Sequence, residues 1–245
     1  TSIDIMSGRY VSHGPPKGFE SFVRCLPAKI MNVECKGKFI YITFDNDYSM
    51  WNTLGMAGSW SPVPAKHSRI KLNFKDGAAY FNDIRNFGTI RVTSNPVDLT
   101  EKLSELGPDM LSESVTDAVF KERIFKKSKK TIAEAIMNQK IIAGVGNYLK
   151  SESLYLAQIS PHRAVSSLSE SEISNLNKAI QATIRSSYIS GGATIHTFLG
   201  FDGKAGEYTR RFAVYNQKYD PAGNRVVRET TKDRRTSFWV PEIQK

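Results

Sequence analysis

Cysteine is scarce in this sequence, and long apolar runs are missing. The 245 residues include only two cysteines, Cys25 and Cys35. Two thiols cannot build a disulfide framework or a four-thiolate zinc site, and their scarcity is typical of a reducing, intracellular setting. No apolar run approaches the about 18 residues that a membrane-spanning helix needs, so we do not expect one.

Histidine is also infrequent, and its positions form no cluster. The four histidines are scattered through the chain: His13, His67, His162 and His196. We therefore expect structural or surface roles for all four, and not metal binding or base catalysis.

Negative charge is in short supply relative to positive charge. The chain has 34 basic and 24 acidic side chains, a formal charge of +10. Such an excess favours a polyanionic partner, of which nucleic acid is the commonest. The charge by itself is equally compatible with a basic protein that has no such partner.

The first hundred residues are rich in strand-forming sequence. Residues 39–44 are dense in β-branched and aromatic side chains, and residues 87–92 form a similar run. Ile70, Leu72 and Phe74 alternate with polar neighbours and precede a hairpin-turn signal, Asp76-Gly77. These patterns predict an antiparallel β-sandwich or barrel.

A break at Leu106-Gly107-Pro108-Asp109 separates this region from helical sequence. We expect a short helix over 131–139, a second opening near Asn147, and a third opening at Ser169 behind a capping box with Glu172. The third helix places its apolar residues on one face: Ile173, Leu176, Ile180 and Ile184. Gly191-Gly192 ends it. The fold class is therefore α+β.

The tail returns to strand-like sequence. Residues 212–215 and 225–227 flank a turn cluster at 220–224, which predicts a β-hairpin there. No internal repeat or low-complexity tract is present.

The most informative segment is residues 138–152, where Gly144 and Gly146 permit a tight turn between two helices. The start of the second helix is a ready anion site, and Asn147 is placed to add a side-chain donor. Without further context, an ordinary pair of antiparallel helices explains this spacing better.

This segment is similar to the helix–two-turn–helix motif of the formamidopyrimidine-DNA glycosylase / endonuclease VIII family. Further segments resemble that family in the same order along the chain: Leu54-Gly55-Met56-Ala57-Gly58, Asp83-Ile84-Arg85-Asn86-Phe87-Gly88, Leu106-Gly107-Pro108, residues 155–163, and Gly191-Gly192-Ala193-Thr194-Ile195 through Gly206. Each match is weak alone, but together they are specific and cover nearly the whole chain.

The resemblance implies a set of DNA-contacting residues. Lys38, after Gly37, corresponds to the lysine that contacts a phosphate beside the lesion and supports catalysis, and Asn147 to a second phosphate ligand. Arg235 corresponds to the finger arginine that reaches the lesion-side phosphate, and Arg234 to a general phosphate contact. Out of context, Lys38 is a solvated strand end.

Three further residues correspond to those that fill the hole left by an extruded nucleotide: Met56, Arg85 and Phe87. Core packing for the methionine and phenylalanine, and a surface charge for the arginine, are the simpler interpretations of each alone. Together they suit an apolar, stacked hole in which an orphaned base still needs hydrogen-bond donors. Gly191, Gly192 and Thr194 correspond to the loop that caps the lesion.

The tail resembles the family's DNA-binding finger but departs from its metal site. Val240 and Ile243 stand where the second pair of cysteines would be, and the first pair is missing from 221–224. The resemblance therefore implies a zincless finger whose hairpin is held by packing, and we expect no metal and no cofactor.

The resemblance implies three domains: an N-terminal β-sandwich (1–107), a helix–two-turn–helix DNA-binding domain (108–207) and a zincless finger hairpin (208–245). It also implies a monomeric base-excision-repair DNA glycosylase and AP lyase that flips and excises oxidised bases from duplex DNA. A damage-binding protein without chemistry is the alternative. A generic RNA-binding protein would not explain Met56, Arg85 and Phe87.

The family's nucleophile is an N-terminal proline followed by glutamate, whereas this chain begins Thr1-Ser2-Ile3. The internal prolines Pro15 and Pro16 have no free amine. We therefore expect a segment upstream of Ile3 to be absent, through truncation or natural loss, and the 245 residues to be inactive. The alternating Ile3 and Ile5 predict that Thr1 leads into a strand.

The preferred base stays open. Residues 191–206 resemble the purine-directed branch of the family, whereas the zincless tail resembles members of the endonuclease VIII branch. The compartment, nuclear or cytoplasmic, stays open as well.

Overall fold

A computed structural model describes residues 1–194 and 200–245. By their contacts these residues form two compact units. Unit 1 comprises 1–104 with 193–207, and unit 2 comprises 105–192 with 208–245. The helical segment and the tail thus share one unit, whereas the sequence indicates separate domains, 108–207 and 208–245. The three-domain division stays a prediction.

Unit 1 contains two four-stranded antiparallel sheets. The first has the order β1-β6-β7-β5, with β1 Ser2–Ile5, β5 Gly58–Ser61, β6 Ser68–Phe74 and β7 Gly77–Asp83. The second has the order β2-β3-β4-β8, with β2 Ile30–Lys36, β3 Phe39–Phe44, β4 Ser49–Thr53 and β8 Thr89–Thr93. The predicted antiparallel sandwich and the strand into which Thr1 leads are confirmed.

The core of unit 1 draws alternating side chains from both sheets, because successive residues of a strand point to opposite faces. Ile70, Leu72 and Phe81 of the first sheet share one buried cluster with Ile42 and Met50 of the second. Phe74, the last residue of the predicted alternation, is 41% exposed because it lies at the hairpin end of β6. Each sheet therefore covers the inner face of the other.

Three helices in unit 1 were not predicted: α1 Arg9–Ser12, α2 Phe19–Val23 and α3 Pro96–Ser104. Two of them are a single turn or little more, too short for a helical period to stand out. Tyr10 and Phe22 nevertheless enter the core. The predicted strand over 87–92 begins only at Thr89, because residues 84–88 form a loop held by Asp83.

Unit 2 contains four α-helices: α4 Asp117–Phe125, α5 Ile132–Met137, α6 Asn147–Leu156 and α7 Glu170–Ile189. Capping boxes open α5 at Thr131 and α7 at Ser169. The helices expected near 131, 147 and 169 are confirmed, and α4 was not predicted. The apolar face of α7 is buried as expected: Ile173, Leu176, Ile180 and Ile184.

The predicted tail hairpin is displaced. Strand β9 (Val227–Thr230) pairs antiparallel with β10 (Thr236–Trp239), around a turn at 231–235. Residues 212–215 are not a strand. The turn cluster at 220–224 exists, because the Asp220 carboxylate accepts the backbone N–H groups of Ala222 and Asn224, but it precedes the hairpin and does not close it.

Among the helices of the described residues, none is both long enough and apolar enough to cross a membrane.

Candidate nucleic-acid interface

The loop between β7 and β8 is organised by one buried carboxylate. Asp83 is 1% exposed. Its Oδ1 accepts the Arg85 backbone N–H at 3.0 Å, and its Oδ2 accepts the Gly88 N–H at 2.6 Å. Asn86 takes a positive φ of 56° at the tip. The D-x-R-x-F-G spacing therefore encodes a loop in which the aspartate faces inward and the residues between are presented outward.

The structure brings the three predicted void-filling residues together. The Arg85 guanidinium lies 4.5 Å from the centroid of the Phe87 ring, and its Nη1 lies 4.0 Å from Met56 Sδ. Met56 is 59% exposed and Phe87 is 54% exposed, so neither packs in the core. An exposed cluster of two large apolar groups and one cation is suited to stacking against bases while offering donors.

A tight glycine turn lets this cluster form. Gly55 has a φ of 63°, and a Cβ there would lie 3.0 Å from backbone atoms of Phe87 and Gly88. Only glycine allows the β4–β5 loop, which carries Met56, to approach the β7–β8 loop this closely.

Two further cations of unit 1, Lys38 and Arg9, are exposed. Lys38 lies with Gly37 (φ 58°) in the two-residue turn between β2 and β3, and its contact with phosphate stays a prediction. Arg9, which sequence reasoning missed, reaches the Asn86 carbonyl oxygen with Nη1 at 3.4 Å. No sequence signal separated Arg9 from other basic residues, because its contact lies 77 positions away.

In unit 2, the turn before α6 is held by the side chain of Gln139. Its Nε2 donates to the carbonyl oxygen of Val145 at 3.0 Å, and its Oε1 accepts the Gly144 N–H at 3.1 Å. Gly144 has a φ of 101°, which favours glycine. Gly146, the N-cap, leaves the positive end of the α6 dipole without a side-chain cap. This geometry is that of an anion-binding helix start.

Asn147, the first residue of α6, joins this turn to the tail hairpin. Its Nδ2 donates to the Thr236 carbonyl oxygen at 2.7 Å, one residue after Arg235. Arg234 and Arg235 are both exposed in the turn at 231–235, and Arg234 has a φ of 59°. The structure therefore brings all three predicted phosphate ligands of unit 2 to one place, although their contact with phosphate stays a prediction.

Sequence reasoning missed a buried ion pair beneath these arginines. Lys150 Nζ lies 2.7 Å from Asp233 Oδ2, with side chains 0% and 5% exposed. Burial lowers the pKa of Lys150, against the opposing effect of its hydrogen bond to Asp233. Burial alone would raise the pKa of Asp233, but hydrogen bonds from Lys150 and Thr231 lower it below its ordinary value.

The tail hairpin has an apolar base where the family's finger has cysteines. Val240 is fully buried and Ile243 packs beside it, in a cluster with Val214, Val226 and Phe238. Glu152 of α6 anchors the preceding segment by accepting the N–H groups of residues 213, 214 and 215. Packing and buried hydrogen bonds therefore hold this tail.

The loop expected to cap the lesion is described in part. Gly191 (φ 73°) and Gly192 (φ 83°) end α7 as predicted, and the Gly192 N–H returns to the Ser187 carbonyl oxygen at 2.8 Å. Thr194 Oγ1 accepts the Gly206 N–H at 2.8 Å and closes the base of the loop. Residues 195–199, which include His196, lie outside the described residues.

The histidines show no shared site among the described residues. His162 Nε2 lies 2.7 Å from Glu229 Oε1, and its ring packs edge-on against Trp239. His67 Nδ1 lies 3.5 Å from Arg69, and His13 Nδ1 lies 2.7 Å from Ser12 Oγ.

A β-sandwich, a helix–two-turn–helix start and a basic hairpin together define a class, the helix–two-turn–helix glycosylases, and comparison with known proteins identifies the family. The formamidopyrimidine-DNA glycosylase N-terminal, H2TH and C-terminal domain models match residues 1–90, 106–199 and 203–245. The chain belongs to the formamidopyrimidine-DNA glycosylase family.

Its relatives match over most of their length. The formamidopyrimidine-DNA glycosylase of Geobacillus kaustophilus is 31% identical over 94% of this chain and 87% of its own. That of Rickettsia conorii is 36% identical over 79% of this chain and 72% of its own. A Lactococcus lactis Fpg, solved in complex with abasic-site DNA, superposes with a TM-score of 0.86 at 26% identity, over 100% of this chain and 91% of that one.

Proposed function

We propose that this chain binds duplex DNA at oxidised or abasic sites and belongs to a base-excision glycosylase and AP lyase that acts inside the cell. The observation that carries the proposal is the exposed Met56, Arg85 and Phe87 cluster. It forms where the β4–β5 loop approaches the β7–β8 loop, whose backbone N–H groups bind the buried Asp83 carboxylate. Such a cluster has no packing role of its own. It is suited to occupy the space of a flipped nucleotide.

We assign the binding of DNA phosphates to four residues: Lys38, Asn147, Arg234 and Arg235. The net charge of +10 supports this role, as does the meeting of the helix start and the basic hairpin turn in unit 2. The Lactococcus lactis relative, solved with abasic-site DNA, supports an abasic substrate for this chain.

The chemistry expected of the full enzyme needs an N-terminal secondary amine. That amine attacks the sugar C1′, the damaged base leaves with the bonding electrons, and the resulting Schiff base permits β,δ-elimination of the strand. Within the 245 residues, the segment that begins at Thr1 leads into β1, which pairs with β6, and it contains no proline. We therefore propose that these residues bind lesion DNA without releasing the base or cutting the strand.

Borohydride trapping on an abasic duplex tests this division of roles. We expect a longer polypeptide that begins Pro-Glu to be trapped covalently, and the 245-residue chain not to be trapped while it still binds the duplex. Trapping of the 245-residue chain would reveal a working amine within it. Failure of both polypeptides to be trapped, with binding intact, would favour a damage-binding protein without chemistry.

A further inference from the structure

The ion pair between Lys150 and Asp233 is the most deeply buried of the ion pairs measured in the described residues. Lys150 lies in the first turns of α6, and Asp233 lies in the hairpin turn at 231–235. Their Nζ–Oδ2 distance of 2.7 Å is that of a charge-assisted hydrogen bond. The pair therefore connects the helix that begins at Asn147 with the turn that carries Arg235.

The second oxygen of Asp233 is bound to the turn itself. Oδ1 accepts the Thr231 hydroxyl at 2.6 Å and the Arg235 backbone N–H at 3.2 Å. Thr231 also donates its backbone N–H to the Arg235 carbonyl oxygen at 3.1 Å. The carboxylate that Lys150 holds is thus bonded directly to the backbone of Arg235.

One face of α6 makes three contacts with the hairpin. Asn147, Lys150 and Ser151 follow at i, i+3 and i+4, the spacing that places side chains on the same helical face. Asn147 binds the Thr236 carbonyl oxygen, Lys150 binds Asp233, and the Ser151 hydroxyl accepts the Phe238 N–H at 3.3 Å. Of these three residues, Lys150 is the charged one, and it is the one that binds the turn at 231–235 itself.

Stability alone is a weak reason for such a pair. Desolvating two charges offsets most of their attraction, so apolar residues of similar volume often stabilise a fold at least as well. The apolar cluster around Val240 already holds the base of the hairpin, whereas the turn is held by polar contacts. What the pair adds is a defined position and direction for the turn.

We propose that Lys150 is a positioning residue, and that the buried Lys150–Asp233 pair holds the turn at 231–235 so that the exposed Arg235 side chain is directed to a DNA phosphate. The inference rests on the proposed function, because it requires Arg235 to bind DNA. In this tail, which has no cysteine ligands, the Lys150–Asp233 salt bridge fixes the position of the turn at 231–235.

A double-mutant cycle on the 245-residue chain tests the proposal. The variants are Lys150→Met, Arg235→Ala and the two combined, titrated against a duplex with one tetrahydrofuran abasic analogue. Lys150→Met should weaken binding about tenfold, which corresponds to about 1.4 kcal/mol. In the Arg235→Ala background, Lys150→Met should weaken binding less than twofold further, because the position of the turn matters only while Arg235 can bind a phosphate.

Salt titration supplies a readout that a general loss of stability would not change. Lys150→Met and Arg235→Ala should each reduce the slope of log K against log salt by about 0.9, the loss of one phosphate contact. Lys178→Met, an exposed lysine of α7 in the same unit, is the matched control for one lost charge and should leave the affinity within twofold of the parent.

The results distinguish the positioning role of Lys150 from the DNA-binding role of Arg235. Weak binding by Arg235→Ala with parental binding by Lys150→Met overturns the inference alone, as do fully additive losses in the double variant. Parental binding by Arg235→Ala overturns the role of Arg235 and the inference with it. If Lys150→Met does not fold, Asp233→Asn serves in the same cycle, because it removes the charge with almost no change of volume.

Discussion

At the residue scale, the site depends on side chains that face solvent without an evident packing role. Met56 and Phe87 are more than half exposed, and Arg85 lies against both. Exposed large apolar groups that cluster around a cation are typical of recognition surfaces. The backbone of the loop turns at Asn86, which has a φ of 56°, and the buried Asp83 carboxylate binds the N–H groups of Arg85 and Gly88.

Phe87→Ala should therefore impair DNA recognition and leave the fold intact. We expect a larger loss of affinity for a lesion in duplex DNA than for the same lesion in a single strand, because a wedge contributes only where stacked bases must be opened. Fluorescence titration of both substrates measures the difference. Phe74→Ala, which truncates a similarly exposed phenylalanine of unit 1, should affect neither substrate.

Equal losses on the two substrates would assign Phe87 a packing role in the β-sandwich. A lower melting temperature of the variant would indicate the same.

At the element scale, the start of α7 combines a capping box with an ion pair. The Glu172 carboxylate accepts the Ser169 N–H at 2.7 Å and lies 2.8 Å from Arg163 Nη1. The hydrogen bond from Arg163, with those from Ser169, lowers the pKa of Glu172 from 4.5 to about 2. The folded state therefore favours the charged carboxylate, and the associated stability is complete above pH 4.5.

This stability should be lost as the pH falls from 4.5 to about 2. Glu172→Gln should lower the free energy of unfolding by about 1 kcal/mol at neutral pH, the scale of a lost cap contact. In acid, the difference in free energy of unfolding between Glu172→Gln and the parent should be smaller. Denaturant unfolding at pH 7 and pH 3 measures both values. Glu170→Gln, on the exposed side of the same turn, should change neither by a comparable amount. A constant difference between Glu172→Gln and the parent at all pH values would contradict this account.

The tail hairpin is an element whose stability should be independent of metal. Val240 and Ile243 pack where cysteines would bind zinc, and the two cysteines of the chain lie in unit 1. A chelator should leave the melting temperature of the purified chain unchanged, whereas Val240→Ala should lower it because it leaves a cavity in the cluster. Stoichiometric zinc by elemental analysis, or unfolding of the tail by the chelator, would refute this prediction.

At the scale of the whole molecule, the excess of positive charge should govern affinity. If the chain neutralises about four to six phosphates, log K should fall with log salt at a slope of about −4 to −5. Titration of an abasic duplex between low and physiological salt measures the slope. A slope near zero would exclude phosphate binding as the source of affinity, and this conclusion would not depend on the role of Met56, Arg85 and Phe87.

Several features were determined by the sequence itself, because each depends on near neighbours in the chain. The capping box of Ser169 and Glu172, the helix start at Asn147 and the glycine stop at 191–192 are local hydrogen-bonding patterns. The strand over 39–44 follows from β-propensity in the same way. The family resemblance, carried by motifs in fixed order, supplied the candidate residues.

Other features were decided only by the tertiary structure, because they depend on residues far apart in sequence. The tail hairpin formed around 231–235 and not around 220–224, since β10 and the Thr231 turn dock on α6 whereas residues 212–215 are held by Glu152. No local sequence pattern distinguishes Lys150 from other lysines, because its partner Asp233, at 2.7 Å, lies 83 positions later in the chain. Burial creates the value of that contact, and burial is a property of the assembled fold that local sequence does not carry.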